Sequence, residues 1–129
     1  MMMDGAKKHG LRVLVCGGRD FNQHVTIYRA LDFLHEKRGI THIIAGGATG
    51  ADRWAESWAW MNRAVVEYVC FRAAWKVYGR RAGPIRNARM IDDGKPDIVL
   101  AFPGGTGTAD AVRQAKAVGL TVIEISHGN

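Results

Sequence analysis

The sequence predicts a three-layer α/β domain built on a mainly parallel, five-stranded sheet. Three observations carry this. Short apolar runs rich in Val and Ile recur along the chain, separated by longer segments of helical periodicity. The apolar runs lack strict in-out alternation, as expected where helices cover both faces of a sheet. The chain has 129 residues, enough for one hydrophobic core and too few for two.

Taken in order, residues 1–10 hold no apolar stretch and are expected to be a flexible leader, with residues 11–129 as a single domain. Leu11 to Cys16 is the first strand. Asn22 to Arg38 places Ile27, Leu31 and Leu34 on one helical stripe and stops at Gly39. Thr41 to Ala45 is the second strand, and Ala51 to Arg63 a helix with Trp54, Trp58 and Met61 on its stripe. Val65 to Cys70 is the third strand. Phe71 to Pro84 is the one long irregular stretch, with Pro84 placed to begin a helix. Asp97 to Phe102 is the fourth strand, Ala109 to Val118 a helix stopped by Gly119, and Leu120 to Ile125 the fifth strand.

The composition, 47% hydrophobic and 23% charged, is that of a folded globular domain and excludes disorder. No run approaches the length of a membrane span and no secretory h-region is present, so a cytoplasmic protein without a membrane partner is expected. Cys16 and Cys70 sit in apolar surroundings and read as buried reduced thiols. The histidines His9, His24, His35, His42 and His127 have no ligand spacing, so no metal site and no cofactor are proposed. The chain carries 18 basic and 12 acidic residues; Arg72, Lys76, Arg80, Arg81, Arg86 and Arg89, in a segment without acids, account for the whole excess of +6. Such a segment is either a solvated basic loop or a surface facing an anion.

In a parallel sheet joined by helices, the carboxyl ends of the strands and the helix N-termini meet at one edge, where ligands bind. Three glycine-rich loops fall there: Gly17, Gly18, Arg19 and Asp20 after the first strand; Gly46, Gly47, Ala48, Thr49, Gly50, Ala51 and Asp52 after the second; Gly104, Gly105, Thr106, Gly107 and Thr108 after the fourth. One glycine loop would suit a plain tight turn. Three at corresponding positions point to phosphate or phosphosugar binding through free backbone N–H groups. Neither the dinucleotide G-x-G-x-x-G nor the P-loop G-x-x-x-x-G-K-[ST] pattern occurs, which demotes hydride transfer and P-loop phosphoryl transfer.

Asp20, Asp52 and Asp110 each follow a glycine loop. Singly they read as N-cap or first-turn carboxylates; together they are candidates to hold ribose hydroxyls or a developing sugar cation. Arg86 supplies a guanidinium fork for phosphate and Asn87 both donors and an acceptor for a base or ribose. Trp75 and Tyr78 serve either packing or base stacking.

With these motifs in order, Arg12 to Phe21, Gly46 to Asp52, Ala82 to Asn87 and Pro103 to Asp110, the chain resembles the YspA-like, cpYpsA-related SLOG family. The resemblance runs from about Leu11 to Ile125 and implies a Rossmann-like fold. The wider superfamily includes the LOG nucleotide phosphoribohydrolases, the DNA-processing protein DprA and domains that sense nucleotide-derived signals. By resemblance to the LOG enzymes, Arg86 takes the place of their catalytic arginine, whereas the place of their glutamate holds Ala111, with Asp110 one residue before it. On a helix that step turns a side chain by about 100°, so the resemblance implies a kept phosphate site and a displaced acid.

The resulting expectation is a module binding a nucleotide-like small molecule. A nucleotide N-glycosidase using Arg86 and Asp110 is the enzymatic alternative, and DprA-like nucleic-acid binding, disfavoured by the lack of a basic tail, is the third. Trp54, Trp58 and Trp60 occupy more than one helix face, and LOG proteins are dimers, so a homodimer or higher homo-oligomer is expected.

Overall fold

The computed structural model describes residues 10–126; the leader expected over residues 1–10 falls, Gly10 apart, outside them. The strands β1 Leu11–Cys16, β2 Ile40–Ala45, β3 Glu67–Cys70, β4 Ile98–Ala101 and β5 Thr121–Glu124 form one sheet in the order β3-β2-β1-β4-β5. Every neighbouring pair is parallel. The helices are α1 His24–Arg38, α2 Ala51–Met61, the short α3 Trp75–Tyr78, α4 Ala82–Asp92 and α5 Thr106–Ala117, with a 3₁₀ turn, Gly79–Arg81, between α3 and α4. This is a Rossmann-like α/β fold, and none of its described helices is long and apolar enough to cross a membrane.

The strand period of two divides β1 between two cores. Leu11, Val13 and Val15 pack with Ile27 and Leu31 of α1 and Trp58 of α2, while Leu14 and Cys16 pack with Met90 of α4 and Val112 and Ala115 of α5. Because both faces of β1 are covered, its sequence is apolar almost throughout. Each fully buried Leu or Ile contributes roughly 1.5–3 kcal/mol, so these two layers fix the register of the central strands. Trp58 is buried to its indole nitrogen, which donates to Asp32 Oδ1 at 2.8 Å, so its burial leaves no donor unpaired.

Beyond shifts of two residues at the start of α1, the end of α2 and the start of β3, several details depart from the sequence reading. The stretch from Phe71 to Pro84 is ordered into α3, the 3₁₀ turn and the start of α4, which begins at Ala82. Pro84 therefore lies third in α4 rather than first, a position whose N–H would have no helical partner in any case. Helix α5 begins at Thr106, three residues before the expected start, because a glycine costs little in a first turn that bares its backbone. Met61 and Cys70, both read as inward, are exposed. Met61 is the last residue of α2, and β3 is an edge strand with a neighbour on one side alone.

Candidate functional site

The strand order runs outward from β1 toward β3 on one side and from β4 to β5 on the other, so the loops that leave β1 and β4 diverge. A crevice opens between them at the carboxyl edge of the sheet. It forms a cleft of about 1110 Å³, large enough for a ligand of nucleotide size. Its floor is Val15 and Cys16 at the end of β1, and the glycine loops after β1, β2 and β4 wall it.

Backbone hydrogen bonds tie these loops together. Gly18 N–H donates to the carbonyl of Pro103 at 2.8 Å, and Gly18 C=O accepts from Ala51 N–H at 3.2 Å, joining the first loop to both others. Gly50 sits at φ +71°, and a side chain there would press within 2.5 Å of Arg19 C=O, so only glycine permits this close approach.

In the third loop Gly105 is the N-cap of α5, and the first helical bond runs from Ala109 N–H to Gly105 C=O at 3.0 Å. The N–H groups of Thr106, Gly107 and Thr108 therefore have no helical acceptor and stand at the positive end of the helix dipole. Apart from the adjoining residues and the helix's own backbone, no atom lies within 4 Å of where a Cβ would stand on Gly105 or Gly107, both of which line the cleft. Bare backbone faces the cavity at the place where an anion is best received.

Beside this turn lies a buried polar hub. Asn87, 2% exposed, donates through Nδ2 to Gly107 C=O at 3.2 Å and to Asp110 Oδ2 at 2.9 Å, and its Oδ1 accepts from Arg86 Nε at 2.9 Å. Arg86 also donates to Gly46 C=O at 3.2 Å, which aims its guanidinium across the second loop. Asp110 accepts further bonds from Gln114 at 2.7 Å and from the Arg113 guanidinium. Both of its oxygens are thus engaged within α4 and α5. Ala111, the next residue along α5, is buried in the core.

Asp52, in the first turn of α2, is 7% exposed. Burial raises its carboxyl above the ordinary value, opposed by the Ala48 N–H at 3.1 Å, the Arg86 charge, the Gly46 N–H and the Arg19 charge. The thiol of Cys16 is pushed up to about 12, first by burial and then by the charges of Asp52 and Glu124. It is an inert floor residue rather than a nucleophile.

Of the residues singled out from sequence, Gly17, Gly18, Arg19, Gly46, Gly47, Thr49, Asp52, Arg86, Asn87, Gly105, Thr106, Gly107, Thr108 and Asp110 line the cleft. Asp20, Gly50 and Gly104 do not. Asp20 is exposed outside it, Gly50 caps α2, and Gly104 packs against Thr108 and the Gly18 amide. Sequence reasoning passed over Arg72, Arg80 and Arg113 as individual site residues. The acid-free run of basic residues signalled the first two; Arg113 gave no signal beyond its spacing of three from Asp110. Among the described residues Arg19, Arg72, Arg80 and Arg86 have no carboxylate within ion-pair distance, and no group of His, Cys, Asp and Glu converges to hold a metal.

Comparison with known proteins matches most of the chain. The Gene 61 protein of Mycobacterium phage D29 is 39% identical over 118 residues, covering 87% of this chain and 94% of that protein. The model of the family described as YspA, cpYpsA-related SLOG matches residues 11–78, from β1 through the first two glycine loops to the end of α3. The chain belongs to the YspA, cpYpsA-related SLOG family.

Proposed function

We propose that the cleft binds a nucleotide or a nucleotide-derived phosphoribosyl ligand and that the protein acts as a sensor or binding module. The observation that carries this is the first turn of α5, whose unpartnered amides open onto a cleft edged by Arg19, Arg72, Arg80 and Arg86, which among the described residues have no carboxylate partner. A phosphate placed at Thr106, Gly107 and Thr108 meets the helix dipole, the hydroxyls and the reach of Arg86. Asp52 and the second glycine loop then lie in the same cleft to accept ribose hydroxyls.

Thermal shift against AMP, ADP-ribose, cyclic ADP-ribose and NAD tests the proposal. A ligand at 100 times its Kd adds about 2.7 kcal/mol, and the melting temperature rises accordingly. A panel without any shift at millimolar ligand removes the proposal.

Glycosidic hydrolysis is weak or absent in this reading. Charge developing on a ribose calls for a carboxylate close to the anomeric carbon, and Asp110 has its oxygens committed to Asn87, Gln114 and Arg113. A misplacement of about 1 Å already costs on the order of a hundredfold in rate. Nucleoside monophosphates incubated with the protein should release free base far more slowly than about one per second. Release at that rate, abolished in Asp110→Asn, makes the protein an enzyme instead.

The basic residues Arg19, Arg72, Arg80 and Arg86 line the cleft, which favours a small anionic ligand over a nucleic-acid surface.

A further inference from the structure

Two cleft residues take no part in receiving the phosphate. Arg19, in the loop after β1, and Trp75, which opens α3, meet across the cavity with the guanidinium Cζ 5.8 Å from the indole centroid. Elsewhere in the molecule a stacked pair looks different: Arg63 Cζ lies 3.8 Å over the ring of Trp60. At Arg19 and Trp75 the guanidinium stands at the outer limit, about 6 Å, of a cation–π contact. Their separation is about 1 Å short of the roughly 7 Å that two successive non-bonded contacts of about 3.5 Å require. We propose that Arg19 and Trp75 are the jaws of a clamp that opens by this distance to hold a planar heterocycle between them, the base of the nucleotide whose phosphate rests at α5. This inference rests on the phosphoribosyl reading of the cleft.

Spacing alone does not make a clamp, since Arg89 lies 5.4 Å from the Phe71 ring outside the cleft. Three further observations distinguish the pair within it. Neither jaw is occupied: among the described residues the Arg19 guanidinium has neither an acceptor nor a carboxylate partner, and Trp75 is 48% exposed. One jaw is anchored, because the Arg19 carbonyl accepts from Thr49 Oγ1 at 3.1 Å. The other can give way by the missing distance. Helix α3 and the turn after it contain no buried residue, and Gly79, at φ +58° with nothing within 4 Å of its Cβ position, joins them. The chemistry of the jaws suits a base, whose two π faces stack on an indole and on a guanidinium plane irrespective of sequence.

Calorimetric titration with AMP and with ribose 5-phosphate separates the clamp from the phosphate site, since only AMP carries a base. Wild type should bind AMP at least tenfold more tightly than ribose 5-phosphate. Trp75→Leu should lose about tenfold for AMP and nothing for ribose 5-phosphate, within what one base–aromatic stack supplies. Trp75→Phe, which keeps a ring, should retain most of the AMP affinity. An unchanged circular-dichroism melt verifies that the exposed position tolerates both changes. Equal wild-type affinity for the two ligands, or Trp75→Leu weakening both alike or neither, overturns the clamp and leaves the phosphate site standing. Absence of binding by both ligands to wild type overturns the clamp, and the phosphoribosyl reading falls with it if ADP-ribose, cyclic ADP-ribose and NAD also fail to bind.

Discussion

Gly104 and Gly105 are adjacent and chemically identical, yet the structure gives them different tasks. A Cβ on Gly104 would meet the Thr108 side chain and stand 2.7 Å from the Gly18 amide nitrogen, whereas one on Gly105 would stand in open cleft. Gly105→Val should therefore fold with a nearly unchanged melting temperature and lose nucleotide binding, because its branched side chain fills the space above the α5 amides. Gly104→Val should destabilise the fold itself. Thermal melts and titrations of the two variants decide this, and a folded Gly105→Val with wild-type affinity refutes the phosphate site. Asp52 yields a second prediction at this scale. Its carboxyl, raised above 3.8 chiefly by burial, holds its proton more tightly in the folded chain than in the unfolded one. Its contribution to stability is full below 3.8 and is lost as pH rises through the raised folded value. Asp52→Asn mimics the neutral acid, so wild type should lose stability relative to this variant between acidic and neutral pH. Urea midpoints for both proteins across that range test the sign; a gap independent of pH contradicts it.

Helices α4 and α5 are coupled by polar contacts as much as by apolar ones. Asn87 of α4 reaches the first turn of α5 at Gly107 and its second at Asp110, while holding Arg86 toward the second loop. Asn87→Ala removes one of the donors that Asp110 Oδ2 shares with Gln114, unties α4 from Gly107 C=O and releases the arginine. A hydrogen bond to a charged group contributes about 1.5–3 kcal/mol, so urea denaturation should show a loss of that order. Affinity for nucleotides should fall as well, because the turn that presents the amides is no longer held. Unchanged stability and affinity would show that the hub serves neither purpose.

At the scale of the whole molecule, the sheet order creates the cleft and leaves an apolar surface elsewhere. Trp60, Met61 and Val65 stand 63%, 57% and 65% exposed around the carboxyl end of α2. Trp54, by contrast, is half-buried against His24 at 4.8 Å between ring centroids, and Trp58 is inside. A contiguous exposed apolar patch is a candidate association surface, and the sequence leads us to expect a homodimer through it. Light scattering at micromolar concentration should report about twice the chain mass of 14.2 kDa, with Trp60→Glu reverting to the single mass. A wild-type monomer at that concentration contradicts the expected dimer.

The sequence by itself determined the strands, the principal helices and the three glycine loops. A strand buried on both faces writes a continuous apolar run, and a loop that must bring backbone to a ligand writes glycine; both are local demands that local residues answer. Tertiary structure decided what depends on direction. Asp20, Asp52 and Asp110 look alike in sequence, but Asp20 points outward, Asp52 is buried in the cleft wall, and Asp110 is bound by Asn87, Gln114 and Arg113. Cys16 and Cys70 both end apolar strands, but β1 is central and β3 an edge, so one thiol is sealed and the other open. The meeting of Arg19 with Trp75, more than fifty residues apart along the chain, follows from the order in which parallel strands are laid into the sheet. No periodicity records that order, because it is fixed by how whole elements cover one another's apolar faces.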